Sequence, residues 1–338
     1  MQKRLVAKYV AKRIVVYVLT MFIAFSVVFF FLRLIPGDPV LRYIQQVYER
    51  YAYRLPQTEE IIQEYRRTLG LDGDLFTQYI IYLRRVFLEF NLGPSFLDFP
   101  KPAQDLILRH LPWSIGLLAF STLLAWLIGL VLGTLAGWRR DSKMGMFLYI
   151  LSLSISQVPY YLLALVFVLV FAYLFPVFPA RFAYSPTLTP SLNLEFISSI
   201  VYHAILPSLS FIAVATFGWL ISTRAITITI LGEDFLLFAQ AKGLGRLRIL
   251  NRYVLRNILL PQVTGLAMSL GFVVNGFFLI EWIFAYPGIG TLLGLAIGQL
   301  DYNTFQGIIL ISIFAVLTAN LVIELLYPLV DPRVRTGG

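Results

Sequence analysis

Few side chains of this 338-residue sequence could carry out chemistry. The sequence contains no Gly-rich phosphate loop, no Gly-x-Ser-x-Gly nucleophile elbow and no His-Glu-x-x-His zinc motif. It has no Cys and only two His, His110 and His203, which we place at the entrances of apolar stretches without a ligand role. These residue types predict no catalytic residue, no metal and no cofactor bound by this chain, which leaves transport or signalling.

Two carboxylates, Glu281 and Glu324, stand inside long apolar stretches, where an ionisable group is costly and is by default a functional candidate. Glu281 falls near the outer end of its stretch and Glu324 towards the inner end of the next. Each could line a transport pathway. The alternative for each is a solvated helix end or a hydrogen bond to a neighbouring helix. No pair of Asp residues occurs within the stretches, as an intramembrane protease would need.

The elements that must position these residues are membrane-spanning helices. Hydrophobic residues make up 59% of the sequence and charged residues 13%, about half the charged fraction of a soluble domain. A bilayer core of about 30 Å needs roughly 20 apolar helical residues per crossing. Six stretches are predicted as spans, at about 14–32, 113–138, 146–175, 203–223, 262–282 and 305–329. The third of these, 146–175, is long enough to tilt in the membrane or to bend at Pro159.

The charge distribution predicts the orientation of these spans. Short cytoplasmic loops carry an excess of Lys and Arg. A cytoplasmic N-terminus places 1–13, 139–145, 224–261 and 330–338 inside; together with the inner half of the last span they hold 16 of the 27 Lys and Arg and 5 of the 18 acidic residues. The inner side is then +11 and the outer side −2. The net charge of +9 therefore indicates topology, and no nucleic-acid-binding pattern accompanies it.

The one long external segment, about 33–112, predicts a mostly helical insert. Apolar residues recur at helical spacing after Thr58, which begins a plausible capped helix. The run "LDGD" then breaks the pattern, and a second amphipathic helix follows with Phe76, Tyr79, Ile80, Leu83 and Phe87. We expect a small folded insert on the outer membrane surface. A docking platform for an external partner is a compatible, sharper alternative.

The predicted loop 224–261 contains "AQAKGLGRLRILNRYVLRNILLP", with five Lys or Arg and no acidic residue. A small-residue helical turn is followed by Gly243 and Gly245, which should end it. Behind it, Arg248, Arg252 and Arg256 are spaced for one helix face and Leu247, Leu250, Val254 and Ile258 for another. This pattern predicts an amphipathic helix at the inner membrane surface before Pro261 opens the next span. Anchoring on anionic lipid explains the arginines, whereas the small residues favour close contact with a partner protein.

From this segment to the sixth span, the sequence resembles the dipeptide/oligopeptide branch of the permeases of ABC importers, which share the "EAA" loop of type I importers. The strings "LRLIPGDPV", "LGLDGDLFTQYIIYL", "NLGPSF", "DLILRHLP" and "LLYPLVDPRVR" resemble that branch in the same order, over nearly the whole chain. Phe238–Ala239–Gln240–Ala241 stands where the general loop pattern has Glu-Ala-Ala, so the role of that Glu is assigned to no residue here.

The resemblance implies an all-α integral membrane protein with six transmembrane helices and the type I importer permease fold. It implies residues 1–32 as the N-terminus and first span, 33–112 as the external insert, 113–330 as the core permease domain and 331–338 as the cytoplasmic C-terminus. It also implies a cell-membrane location and these partners: a second similar permease, two ATPase subunits that bind ATP and Mg, and an extracytoplasmic substrate-binding protein, all within membrane lipid and without nucleic acid.

Two groups of site residues follow from the resemblance and from the residue types. The ATPase-coupling residues would be Ala239, Gln240, Ala241, Lys242, Gly243 and Leu244. The string "AYPGIGTLLGLAIG" would form a re-entrant turn at an outer gate. The translocation path or gate would then contain Glu281, Tyr286, Pro287, Gly288 and Gly290.

The substrate stays open at the level of sequence. Similar permeases handle peptides, nickel chelates and oligosaccharides; we place peptides first and oligosaccharides second. The 19 Tyr and 5 Trp would suit sugar stacking, but the same residues are enriched at membrane interfaces. A self-contained channel or proton-coupled carrier is the competing class, which should show internal repeats and midplane carboxylates, and neither is visible. A membrane enzyme is not supported either, because the sequence lacks the set of catalytic residues that such an enzyme would need.

Overall fold

A computed structural model describes residues 2–51, 59–271 and 278–330, and their regular secondary structure is helical. Two further stretches, Leu169–Leu174 after α7 and Leu250–Val254 after α10, are π-helical. In chain order the α-helices are α1 Gln2–Arg33, α2 Pro39–Tyr51, α3 Glu59–Leu69, α4 Leu75–Phe87, α5 Ala103–Trp138, α6 Lys143–Ile155, α7 Tyr160–Val168, α8 Leu194–Leu231, α9 Asp234–Ala241, α10 Arg246–Ile249, α11 Leu255–Gly271, α12 Phe278–Ile283, α13 Ile289–Gly298 and α14 Tyr302–Val330.

Four of these helices are long and apolar enough to cross a membrane, at Val10–Arg33, Ala103–Trp138, Leu194–Leu231 and Tyr302–Val322. They coincide with the first, second, fourth and sixth predicted spans. The second helix begins ten residues before the predicted position and passes through Pro112. Proline removes one backbone donor, which a membrane helix tolerates when neighbouring groups satisfy the freed carbonyl. The all-α membrane architecture is therefore confirmed.

The third predicted span is a bent pair of helices. Lys143–Ile155 and Tyr160–Leu174 meet at 90°, and Pro159 occupies the N-cap position of α7. Proline disfavours helical backbone in the residue before it, so the chain turns there. The bend at Pro159 follows the sequence prediction. The fifth predicted span, 262–282, includes 272–277, which lie outside the described residues, so the count of six spans remains a prediction.

The chain forms two compact units, 1–114 with 287–338 and 115–286, and the boundary falls within α5. In the second unit, α5 packs against α8 through Gly129, Gly133 and Gly137. A Cβ on Gly133 would lie 2.6 Å from the Leu220 carbonyl oxygen and 2.6 Å from Thr223 Cβ. Small residues at four-residue spacing let membrane helices approach closely. The glycine spacing thus sets the α5–α8 contact.

In the first unit, the insert of α2 to α4 packs on the ends of α1 and α14. Asp38 accepts hydrogen bonds from the Val40 and Leu41 amides at 2.9 and 3.2 Å, and it pairs with Arg66 of α3 at 2.6 Å. Asp38 therefore acts as the N-cap of α2, with Pro39 in the first helical position, where its missing N–H costs nothing. The string "IPGDPV" begins a helix that the sequence analysis did not predict.

A buried polar cluster ties the loop "NLGPSF" to the start of α14. Ser95, Asp301 and Thr304 are each fully buried. The Asp301 carboxylate accepts hydrogen bonds from the Ser95 hydroxyl at 2.5 Å and from the Thr304 hydroxyl at 2.8 Å. It also accepts hydrogen bonds from the backbone amides of Leu97 at 3.3 Å and Thr304 at 3.1 Å. A buried carboxylate needs such donors because isolated burial of its charge is costly.

Candidate functional site

The proposed coupling segment forms the short helix α9 and the turn after it. The Gly243 amide donates to the Gln240 carbonyl at 2.9 Å, and the Leu244 amide donates to the Ala239 carbonyl at 3.3 Å. Gly243 has φ +72°, in the left-handed region that favours glycine. These two hydrogen bonds around a left-handed residue constitute a Schellman motif. Gly243 therefore ends α9, as its position in the sequence predicts.

The coupling residues face two directions. Ala239 is only 3% exposed and packs in a core with Leu236, Ile249, Leu250, Val254 and Ile258. Leu244 is half-buried against the same core. Gln240, Ala241, Lys242 and Gly243 are exposed. Four of the six residues are thus available to a partner, whereas Ala239 and Leu244 hold α9 on the rest of its unit.

The solvent-exposed face of α9 carries large apolar side chains in addition to the small residues of the coupling segment. Phe238 is 69% exposed, and Leu237 and Phe235 are exposed as well. At 100° per residue, Leu237, Phe238 and Ala241 lie opposite the buried Leu236 and Ala239. The signal was present in "DFLLFAQA", an apolar helix inside a predicted cytoplasmic loop. Exposed apolar patches mark sites of contact with a partner protein or with a membrane.

The run behind α9 is continuous from Arg246 to Gly271 and passes through Pro261. Pro261 therefore does not begin a separate helix, and the start of the next span at this residue stays a prediction. The buried side chains are Ile249, Leu250, Val254 and Ile258. Leu247, predicted on the apolar face, is 76% exposed. The π-helical Leu250–Val254 explains the difference, because its wider turn shifts the buried face by one position relative to an α-helix.

The arginines of this run stand on the opposite side from its buried core. Arg248, Arg252 and Arg256 are all exposed. Their separation from Ile249, Val254 and Ile258 agrees with the predicted amphipathic character. A row of exposed arginines beside an apolar helix suits the phosphate layer of a bilayer.

The candidate gate residues occupy both units. In the second unit, Glu281 is 1% exposed and Tyr286 is 2% exposed, and the Tyr286 amide donates to the Glu281 carbonyl at 2.8 Å. Because Glu281 is buried, the alternative of a solvated helix end does not apply to its carboxylate. The side chain of Glu324 lies outside the part of the chain that the structure describes.

The turn after α12 depends on an alanine and not on the predicted glycines. Ala285 has φ +44°, whereas Gly288 is extended at φ −95° and ψ 180° and caps the start of α13. In the first unit, the Ile289 amide at that start donates to the Ser114 hydroxyl at 2.7 Å. Gly290 is buried in the first turn of α13. The turn at Ala285 and helix α13 follow α12 directly, and a gate at this turn stays a prediction.

Both histidines bind the backbone of their own helices. His110 Nδ1 lies 2.7 Å from the Leu106 carbonyl oxygen, and His203 Nδ1 lies 2.8 Å from the Ser199 carbonyl oxygen. Each contact spans four residues of one helix. A ring nitrogen that bonds the preceding turn is oriented by its own helix, which is a structural use of the side chain.

Comparison with known proteins gives relatives along nearly the whole chain. The dipeptide transport system permease protein DppB of Bacillus subtilis strain 168 is 28% identical over 333 residues, which are 97% of this chain and 98% of that protein. The glutathione transport system permease protein GsiC of Pectobacterium atrosepticum is 29% identical over 330 residues, with 97% and 98% covered. GsiC of Escherichia coli O6:H1 is 28% identical with the same coverage.

The family comparison covers the part of the chain that contains α9 and the candidate gate residues. The model of the binding-protein-dependent transport system inner membrane component matches residues 129–336. That range holds more than half of the chain, and the helices within it are apolar and closely packed. The chain belongs to the family of inner membrane components of binding-protein-dependent transport systems.

Proposed function

We propose that this chain is one permease subunit of an ATP-driven importer of short peptides. The exposed apolar face of α9 carries the proposal, because Leu237, Phe238 and Ala241 form a compact surface on a helix that its own core and Gly243 hold in place. The relatives named for dipeptide and glutathione transport support a small peptide as the substrate.

In this proposal, two ATPase subunits bind ATP and Mg and receive α9 of each permease at their surface. The sequence has no phosphate loop, so hydrolysis belongs to those partners. A second permease completes the path, and an external binding protein delivers the peptide. Closure of the ATPase pair moves the two α9 helices and opens the path to the outside. Glu281, Tyr286, Pro287, Gly288 and Gly290 are the proposed gate.

Variants of the α9 surface test the coupling role. Ala241→Trp adds bulk at an exposed position, so the chain should fold normally but exclude the ATPase. Phe238→Ala removes an exposed side chain and should weaken ATPase binding by about 2 kcal/mol, roughly thirtyfold, if it is an interface anchor. Leu247→Ala is the matched control, since Leu247 is an exposed apolar residue of the same loop outside α9.

The measurement is recovery of ATPase subunits with each purified variant at equal permease yield. Peptide uptake by proteoliposomes of the assembled complex should need ATP and should persist when the proton gradient is collapsed. Full ATPase recovery and full transport with both α9 variants would contradict the coupling role. Uptake by the purified chain alone would show a self-contained carrier, and uptake of oligosaccharides in place of peptides would change only the substrate class.

A further inference from the structure

A partly open cavity lies in the first unit, where the end of α1, the end of α3, α4 and the start of α14 come together. Two arginines line it, Arg33 of α1 and Arg85 of α4, and its other polar side chains are Tyr82, Asn91 and Asn303. Its volume is about 270 Å³ with the open mouth included, and its enclosed part is only about the size of a water molecule. The cavity therefore gathers hydrogen-bond donors and two positive charges in a small space.

Neither arginine forms an ion pair with a carboxylate among the described residues. Arg33 Nε lies 3.5 Å from Gln78 Oε1, and Arg85 Nη1 lies 3.5 Å from the Thr68 carbonyl oxygen. Both are long contacts to neutral acceptors. A guanidinium group carries several N–H donors, so a single long contact does not satisfy either side chain. The chain thus leaves two neighbouring positive charges without a counter-charge within ion-pair distance.

The deepest donors of the cavity have no acceptor in the described part of the chain. Arg33 Nη1 and the Tyr82 hydroxyl are buried atoms without a hydrogen-bond partner there, and the Tyr82 side chain is only 8% exposed. The Arg33 guanidinium lies 3.9 Å from the centre of the Phe29 ring, and the Tyr82 ring lies 5.2 Å from the same ring. Both donors are therefore positioned by packing on Phe29. A buried donor is costly unless it is hydrogen-bonded, and a charged donor is the most costly.

The mouth of the cavity lies between Asn91 and the end of α3. Asn91 is exposed, and its Oδ1 accepts a hydrogen bond from the Gly93 amide at 2.8 Å, so its amide N–H groups are further donors. Gly70 follows the last residue of α3 and has φ +73°, and a Cβ there would lie 2.8 Å from Arg85 Nη1. Burial thus orders the donors from Asn91 at the mouth, through the half-buried Arg85, to Arg33 Nη1 and Tyr82 at the bottom.

We propose that this cavity binds a phosphate group, with one oxygen at Arg33 and Tyr82 and the other oxygens at the mouth towards Arg85 and Asn91. Guanidinium groups are suited to phosphate, and a phosphate has enough oxygens to accept from donors at both depths. Free phosphate and the phosphate of a lipid headgroup offer these donors the same chemistry, and the experiment separates them. The bound group would join the insert to α1, which goes beyond the proposed transport function and does not depend on the solute.

Thermal unfolding of the full-length chain, purified in a maltoside detergent without phosphate, tests the proposal. A ligand of the folded chain raises the unfolding midpoint, so the midpoint should be higher in inorganic phosphate than in chloride of equal ionic strength. Tyr82→Phe keeps the ring and removes only the hydroxyl, and it should weaken phosphate binding by about tenfold. Arg33→Gln should abolish the shift. Arg84→Gln, exposed on the same helix and paired with Glu89, is the matched control and should respond as the unmodified chain does.

Two short-chain lipids identify the source of the phosphate. A headgroup ligand predicts that dihexanoyl phosphatidylglycerol raises the midpoint more than inorganic phosphate and more than dihexanoylglycerol, which has no phosphate. A free ligand predicts that inorganic phosphate alone gives the full shift, and either result supports the site when Arg33→Gln removes it. Phosphate salts also stabilise proteins generally, so equal shifts in the unmodified chain, Tyr82→Phe and Arg33→Gln would overturn the proposal. An equal shift with acetate that also depends on Arg33 would overturn phosphate as the ligand class.

Discussion

At the scale of single residues, Gly243 shows how one backbone angle ends the helix α9, which carries the proposed coupling surface. The residue needs φ +72° so that the amides of residues 243 and 244 can reach the carbonyls of α9. A Cβ in the left-handed region costs on the order of 1 kcal/mol. A residue other than glycine at position 243 would therefore destabilise the C-terminal turn of α9, the helix that exposes Phe238 and Ala241.

Gly243→Ala should accelerate amide hydrogen exchange at residues 243 and 244 by about fivefold, because about 1 kcal/mol of local stability is lost. Gly245→Ala is the matched control, since Gly245 has φ −62° and no atom within 4 Å of an added Cβ. Exchange mass spectrometry of the two variants measures the difference. Equal protection in both variants would show that the turn does not depend on the left-handed glycine.

Glu281→Gln keeps the shape of a side chain that is 1% exposed and removes its charge. If the carboxylate belongs to the gate, the variant should transport less peptide per ATP hydrolysed while folding normally. Glu195→Gln, at an exposed position in the first turn of α8, is the control for loss of one negative charge. Parallel assays of uptake and hydrolysis in proteoliposomes give the ratio; an unchanged ratio and rate would leave Glu281 with a structural role only.

At the scale of helices, close packing of α5 on α8 limits what the second unit tolerates. Gly133→Ala places a Cβ 2.6 Å from the Leu220 carbonyl oxygen, so the helices must separate. Overpacking of this kind costs about 1–3 kcal/mol. Gly218→Ala, on α8 with no atom within 4 Å, should be neutral. Thermal unfolding of the detergent-purified chain should show a lower midpoint for Gly133→Ala alone, and equal midpoints would disprove the packing role of Gly133.

Helix ends and bends could be predicted where a single residue determines the adjacent backbone, and not where tertiary packing determines it. The bend at Pro159 and the end of α9 at Gly243 were predicted because a ring and a missing side chain act on the adjacent backbone. The sequence analysis did not predict α2, although an N-cap residue, Asp38, and a proline in the first helical position, Pro39, mark its start. The π-helical Leu250–Val254 was not predicted; the adjacent residues Ile249 and Leu250 both enter one buried core there, a tertiary arrangement that helical periodicity does not encode.

The candidate site divides in the same way. The accessibility of Gln240, Ala241 and Lys242 is a local property of a short helix and its turn, and the sequence suggested it. The burial of Ala239 depends on residues 130, 230 and 249–258, which come from distant parts of the unit. The Asp301 cluster likewise joins side chains 206 positions apart. Tertiary contacts of this range leave no periodic signal in a single sequence.

At the scale of the whole molecule, the long apolar helices make the chain a multi-pass membrane protein, and their orientation rests on the charge distribution. Four long helices and one bent pair are present in the described residues. The proposed cytoplasmic side contains α9 and the exposed arginines behind it. The proposed external side contains the insert and the segment before α8.

Labelling of single cysteines with an impermeant reagent on intact cells tests this orientation. Ser95 is unsuitable as an external site because it is fully buried with Asp301. Thr189, exposed before α8, is the external site. Asp141, whose side chain is 94% exposed between α5 and α6, reports on the opposite side. The positive-inside bias predicts labelling of Thr189→Cys and protection of Asp141→Cys until the cells are opened. Labelling of Asp141→Cys alone on intact cells would invert the topology and would move α9 away from any cytoplasmic ATPase.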